Sequence, residues 1–278
     1  MKGVIQALKK APSVESREYA WTVLDVMEAE LKYKRREYRY IAGSLVKYNP
    51  SAAVEVVDEA ARKTRLQEEP NLQLGASTFV YFPDEAIFGH KRIWNIVSPK
   101  DFRSQIAAIV EAYYDNFFVE CELEPVVDLK RFLDKLAQFE TVNEIRAKIS
   151  PPNPLFGPFW KKLKEYLEER RAQSLSLSEK ASKGESLKTM VLQAVQSVDE
   201  NEVAKTEPAP LADAAILMAA DGYGHATVTG RQGKNLVVVR TSEKALHLKL
   251  PADLHSDELA KAVISEIVKL NHERRLQH

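Results

Sequence analysis

A single cysteine, Cys121, in 278 residues removes disulfide frameworks and cysteine-based zinc sites from consideration, because both need several thiols at set spacing. Long apolar runs are missing too. The longest, Ala214 to Ala220, falls far short of the roughly 18 residues that a membrane span needs. Lys9 and Lys10 interrupt the opening stretch before a signal-peptide core could develop. Excess charge is also absent: 40 Lys and Arg meet 40 Asp and Glu. That neutrality excludes a wholesale polycation, whose binding rests on global positive potential. Residues 1–150 hold 22 basic and 23 acidic side chains and the remainder 18 and 17, so neither half is a basic module. A cytoplasmic protein with no membrane span is expected.

The strong catalytic signatures are lacking as well. The chain has no G-x-G-x-x-G, P-loop, H-E-x-x-H or G-x-S-x-G motif, and none of its six histidines has another at i+3 or i+4. No cofactor, metal site or catalytic residue is assigned on this basis.

What is present reads as α+β. Tyr19, Val23, Val26, Met27 and Leu31 recur at three and four, which predicts a helix over residues 16–33. The aromatic and β-branched run 37–48 predicts a strand ended by Asn49-Pro50, and residues 78–82 and 87–97 a hairpin around Pro83-Asp84-Glu85. Ser98-Pro99 opens a helix; 117–123 alternates as a strand with Cys121 on its apolar side; 128–139 predicts a helix and 142–149 a strand. A proline-rich lead, 150–160, precedes a helix over 158–171 and a strand at 174–178. Residues 179–210, rich in Ser, Lys, Glu and Ala with a helical patch near 187–198, make the best linker. Strands at 214–219, 226–229, 236–241 and 245–250 and a helix after Ser256 complete the chain. The expected architecture is a mixed or antiparallel sheet packed with helices in a main domain over 1–178, then a small C-terminal β-meander and helix over 211–278.

Three constellations can carry chemistry. Lys32, Lys34, Arg35, Arg36 and Arg39, interleaved with Tyr33, Tyr38 and Tyr40, set five cations against Glu37 alone. Nucleic-acid binding wants that mixture, since cations neutralise phosphates and rings stack on exposed bases. A solvated helix end with tyrosines packed inward explains the same residues. Lys161, Lys162 and Lys164 on the 158–171 helix could extend such a surface, although Glu165, Glu168 and Glu169 dilute it, and its Phe159/Trp160 face reads as core. Glu120, Glu122, Asp128 and Lys130 loosely resemble a nuclease metal site, while simple solvent exposure accounts for the two glutamates. Asp221-Gly222-Tyr223-Gly224-His225 offers backbone amides and an Asp/His pair, or merely a turn whose glycines supply positive φ. Cys121 reads as a small core hydrophobe.

Glu69-Pro70-Asn71-Leu72, Phe79-Val80-Tyr81, Ile93-Trp94-Asn95, Glu124 through Leu129, Pro151 through Trp160 and Asp221 through Gly224 together resemble a bacterial and phage-borne family of domains of unknown function associated with anti-phage defence. The order of elements is also similar, more remotely, to the phage lambda exclusion protein A, a DNA-binding component of a phage-exclusion system. The resemblance implies a defence protein that binds nucleic acid, DNA ahead of RNA, as a homodimer, with a companion effector or a phage protein as partner. It transfers no catalytic residues. The resulting expectation is a non-enzymatic nucleic-acid-binding component of an abortive-infection-like system. A regulatory subunit that senses a phage protein or controls an effector, and a metal-dependent nuclease, are the alternatives.

Overall fold

The computed structural model describes residues 2–117, 120–150, 161–172, 174–189, 210–220, 222–251 and 253–275. The chain is α+β, with every described strand pairing antiparallel, and it divides into two compact units. The first comprises Met1–Leu123 with Leu250–Ile267, the second Glu124–Lys249 with Val268–His278.

In the first unit, helix α1 (Lys2–Lys9) leads into strands β1 (Val14–Ser16), β2 (Tyr19–Tyr33), β3 (Arg36–Asn49), β4 (Ala52–Asp58), β5 (Lys63–Glu69), β6 (Leu72–Phe82) and β7 (Ile87–His90), followed by helix α2 (Pro99–Tyr113). The order β1-β2-β3-β6-β7 makes a five-stranded sheet, and β4-β5 form a two-stranded ribbon of their own. One sheet face buries Trp21, Val23, Ile41, Leu45, Phe79 and Tyr81 against Phe102, Ile106 and Ile109 of α2 and Ile5 and Leu8 of α1. The last helix, α6 (Ser256–Arg275), supplies Val263 beside Gly89 of β7 and Ser265 beside Tyr33 of β2. β3 is consequently buried at nearly every position from Tyr38 to Val46.

The helix expected over 16–33 is instead β2, and a bulge explains the misleading spacing. Asp25 takes φ of +55°, and the β2–β3 register shifts between Leu24 and Met27. Before the bulge, odd-numbered Trp21 and Val23 face the α2 core; at the bulge, even-numbered Val26 does. Beyond it Tyr33 lies on the side of α6. A bulge inserts an extra residue and reverses parity, so two period-2 runs joined this way imitate a spacing of three and four. Gly43 stands opposite, where an added Cβ would come within 2.9 Å of the Phe79 ring.

Ser98 caps α2 in a capping box: its hydroxyl accepts from the Asp101 amide at 3.1 Å, and the Asp101 carboxylate accepts from the Ser98 amide at 3.0 Å. The hairpin over 78–90 forms as expected, but β7 stops at His90. Ile93–Val97 is a tight turn with Asn95 at φ +57°. Described residues 120–123, expected as strand, are irregular.

The second unit holds α3 (Leu129–Leu136), β8 (Thr141–Ile149), α4 (Lys161–Glu169), β9 (Leu175–Lys180), α5 (Leu211–Ala220), β10 (Gly224–Gln232), β11 (Asn235–Arg240) and a 3₁₀ turn over Thr241–Lys244. Its sheet order is β11-β10-β8-β9. Residues 214–219, expected as a strand, lie in α5. A short apolar run cannot be told from a buried helix by periodicity alone, and this one is helical because the five alanines of α5 favour the helix and burial takes nearly its whole circumference. Its Asp213 is buried and accepts a hydrogen bond from the Thr189 hydroxyl at 2.7 Å. Residues 245–250 make only the isolated Ala245–Val127 bridge rather than a strand. Residues 187–189 are not helical, and the rest of the expected 187–198 patch and the 151–160 lead lie outside the described residues.

Removing the α2 cap and hollowing its core should differ in size. Ser98→Ala is expected to cost about 1 kcal/mol of stability. Phe102→Ala, which empties a fully buried ring site, should cost about 3–5 kcal/mol, both read as urea midpoint shifts at constant slope.

Candidate nucleic-acid interface

The stretch 32–40 is the tip of the β2–β3 hairpin, not a helix end. The strands pair Leu31 with Tyr38, Lys32 with Glu37 and Tyr33 with Arg36, and the turn between them is Lys34-Arg35. Both turn residues have positive φ, +45° and +68°. A two-residue loop of this kind matches the right-handed twist of the strands but favours Asn-Gly, because a Cβ is crowded there. Arg17 and Arg62 also hold positive φ, yet among the described residues only Lys34 and Arg35 are successive cations in that conformation.

Alternation along the two strands sorts the tip. Tyr33, Arg36 and Tyr38 share one face; Lys32, Glu37 and Arg39 share the other. Tyr38 and Tyr40 are buried, Tyr40 meeting Phe82 in a tilted ring contact at 5.8 Å, so these rings serve the core. The Arg36 guanidinium lies 4.8 Å from the Tyr38 ring centre, and the Tyr33 hydroxyl meets Ser265 at 2.9 Å. Desolvation, with Asp257 adding to it, pushes the Tyr40 phenol above its usual range.

Three of the five cations meet carboxylates. Lys32 lies 3.8 Å from Glu37, Arg36 3.5 Å from Glu85 and Arg39 4.0 Å from Asp84. Asp84 and Glu85 come from the β6–β7 turn, which sequence reading treated only as turn chemistry. Nothing along the chain reveals that β6, pairing with β3, brings that turn to the cations. Glu85 is buried, and burial holds its carboxyl above the usual range despite the opposing pull of Arg36. Lys34 and Arg35 remain exposed; Arg35 has no ion-pair partner among the described residues, and the Lys34 ammonium sits 5.8 Å from the Tyr33 ring.

The other expected site residues fall in the second unit or in loops. Lys161, Lys162 and Lys164 lie in the opening turn of α4, with their side chains outside the described residues. Asp128 caps α3, its carboxylate accepting from the Arg131 amide at 3.1 Å and pairing with the Arg131 guanidinium at 3.2 Å. That role accounts for it without a metal. No group of three or more His, Cys, Asp or Glu converges among the described residues. Asp221 lies outside the described residues, and the partner of His225 is Glu124, at 3.3 Å. Gly224, at φ +142°, is required where the Lys148 carbonyl presses against it. Sequence reading also missed a polar cleft of about 280 Å³ lined by Arg131, Lys135, Lys244 and His247 with Asp134 and Glu243, because its walls come from residues over a hundred positions apart.

The amide of Cys121 donates to the Glu111 carboxylate at 2.8 Å. Burial, with that carboxylate adding to it, raises the thiol to about 11.

A family model described as "Domain of unknown function (DUF4747)" matches residues 31–269. No curated protein matches the chain.

Two outcomes follow from the shifted groups. A buried carboxyl whose folded pKa is raised contributes stability that is full below its ordinary pKa and lost as pH rises through the folded value. Glu85→Gln is therefore expected to stabilise the fold near neutral pH, the gain closing as pH falls to about 4, as chemical denaturation across pH would report. The Cys121 thiol should react with iodoacetamide far more slowly than a free cysteine near neutrality, the rate rising toward pH 11.

Proposed function

We propose that this chain, which belongs to the DUF4747 family of domains of unknown function, is a nucleic-acid-binding protein that contacts phosphates with the tip of its β2–β3 hairpin. The observation that carries this reading is the turn itself. Two exposed cations occupy backbone positions where Asn-Gly would be less strained, and residues held against their conformational preference concentrate at functional sites. Lys34 and Arg35 lead the contact, with Lys32, Arg36 and Arg39 behind them, each partly offset by its carboxylate.

Duplex DNA fits the shape better than duplex RNA. The major groove of B-form DNA, about 12 Å wide, admits a two-stranded ribbon, whereas the A-form major groove is too narrow. With most cations locally neutralised, binding is modest, and its salt dependence reflects the few phosphates contacted. The role in bacterial anti-phage defence, with a companion effector supplying any toxic output, rests on the resemblance of the aromatic, Pro and Gly blocks and no catalytic residue is part of it.

The test exploits the strain. Lys34→Asn with Arg35→Gly should relax the turn, so its melting temperature holds or rises. The same variant should bind labelled duplex DNA at least tenfold more weakly, and the slope of log affinity against log salt should fall by about two. Unchanged binding in this variant would remove the hairpin tip as the site. Reversing Lys34, Arg35, Arg36 and Arg39 together to Glu extends the test to the whole cluster and should abolish binding.

A further inference from the structure

The ribbon β4-β5 is the part of the first unit that the fold leaves unsupported. β3 and β6 pair as far as Asn49 and Leu72, the Asn71 amide donates to the Pro50 carbonyl at 3.3 Å, and pairing resumes at Ala52 and Glu69 as β4-β5. The ribbon thus continues β3-β6 past the last residues of the five-stranded sheet for about 23 Å at the rise of an extended strand. It forms a separate sheet of two strands, so among the described residues each strand has one edge without a strand neighbour. Six of the seven residues of β5 are exposed. Val57 and Leu66, on one face and diagonal across the pair, are 74% and 73% exposed. A lone two-stranded hairpin is marginal in water, and an unpaired edge is a template for another strand.

The charge order of β5 identifies the occupant. Its sequence Lys63-Thr64-Arg65-Leu66-Gln67-Glu68-Glu69 is basic at the start and acidic at the end. An antiparallel strand of the same sequence, centred on Leu66, sets Lys63 opposite Glu69, Thr64 opposite Glu68 and Arg65 opposite Gln67, with Leu66 meeting itself. The other edge does not offer this. The charged residues of β4, Glu55 and Asp58, are both acidic, so no self-pairing there matches opposite charges, and one centred on its middle residue sets Glu55 against Glu55.

We infer that a second copy of this chain pairs with the first along β5, giving a four-stranded sheet β4-β5-β5-β4 about a two-fold axis at Leu66. The contact is isologous and closes on itself, which consumes both β5 edges and leaves the acidic β4 edges outside, where their charge discourages further growth. Seven residues per strand bury less than the roughly 1,200–2,000 Å² of a standard interface, so the dimer is weak and concentration-dependent. It stands independently of nucleic-acid binding: the β2–β3 turn lies at the other end of β3.

Sedimentation velocity of the full chain across its soluble concentration range tests this. The wild type should move from monomer toward dimer with concentration. Lys63→Glu should weaken the dimer about tenfold, since it sets two acidic pairs across the axis. Adding Glu69→Lys to Lys63→Glu should restore wild-type association, which would not follow if Lys63 mattered only to its own hairpin, where it faces Asp58. In a Cys121→Ser background, Leu66→Cys should form a disulfide-linked dimer under mild oxidation and Val57→Cys should not. A wild type that stays monomeric throughout, a charge swap without rescue, or equal cross-linking at the two positions would each overturn the assignment.

Discussion

The first unit depends on one strand being claimed from both sides and on both faces. β3 pairs with β2 along one edge and β6 along the other, while α1 and α2 cover one face of the sheet and residues of α6 meet the other. A strand so enclosed cannot slip, because a shift of one residue would exchange its two buried sets. Everything else in the unit takes its position from that register. The bulge at Asp25 lets β2 follow β3 while changing which of its residues face each layer. Gly43 opposite the bulge leaves room for Phe79, whose ring meets Phe88 and Phe102 at about 6 Å.

The same strand carries two unlike ends. At its start the hairpin tip concentrates cations, and the neighbouring β6–β7 turn answers with Asp84 and Glu85, so a cluster that is strongly basic along the chain is much less so in space. The Arg39–Asp84 pair is exposed, and pairs of that kind contribute little to stability, whereas Glu85 is buried against Arg36. The effect of these pairs is to leave Lys34 and Arg35 as the cations of the cluster with no ion pair among the described residues. Past its other end the ribbon β4-β5 runs on as a two-stranded sheet of its own, and its two strands differ in sign pattern. One strand therefore aligns a charged tip with a self-complementary arm, and the fold separates them by its length.

The features legible in the sequence were those set by neighbours along the chain. The α2 start was readable because Ser98, Pro99 and Asp101 satisfy helix amides locally, and the 78–90 hairpin because Pro83-Asp84 prescribes its own turn. β3, β8 and β9 were readable from β-branched and alternating residues. β2 was not, because a bulge is stabilised by the partner strand and leaves a periodicity identical to that of a helix. α5 was not, because an apolar run suits a buried strand and a buried helix equally until a sheet packs against it. The cations of the candidate site were visible as a cluster, but their hairpin geometry, the burial of Tyr38 and the opposing carboxylates were not.

By itself the sequence determined an α+β protein without excess charge, disulfides or a cysteine-based metal site, and it marked Lys32 to Tyr40 as the place where its neutrality breaks. Only the tertiary structure decided which charges there go without an ion pair among the described residues, which tyrosines belong to the core, and that β8 pairs with β10 across 75 to 90 positions. The reason is the range of the forces involved. Capping and turn formation act over three or four residues, whereas strand pairing, desolvation and ion pairing act between groups that only folding brings within a few ångströms.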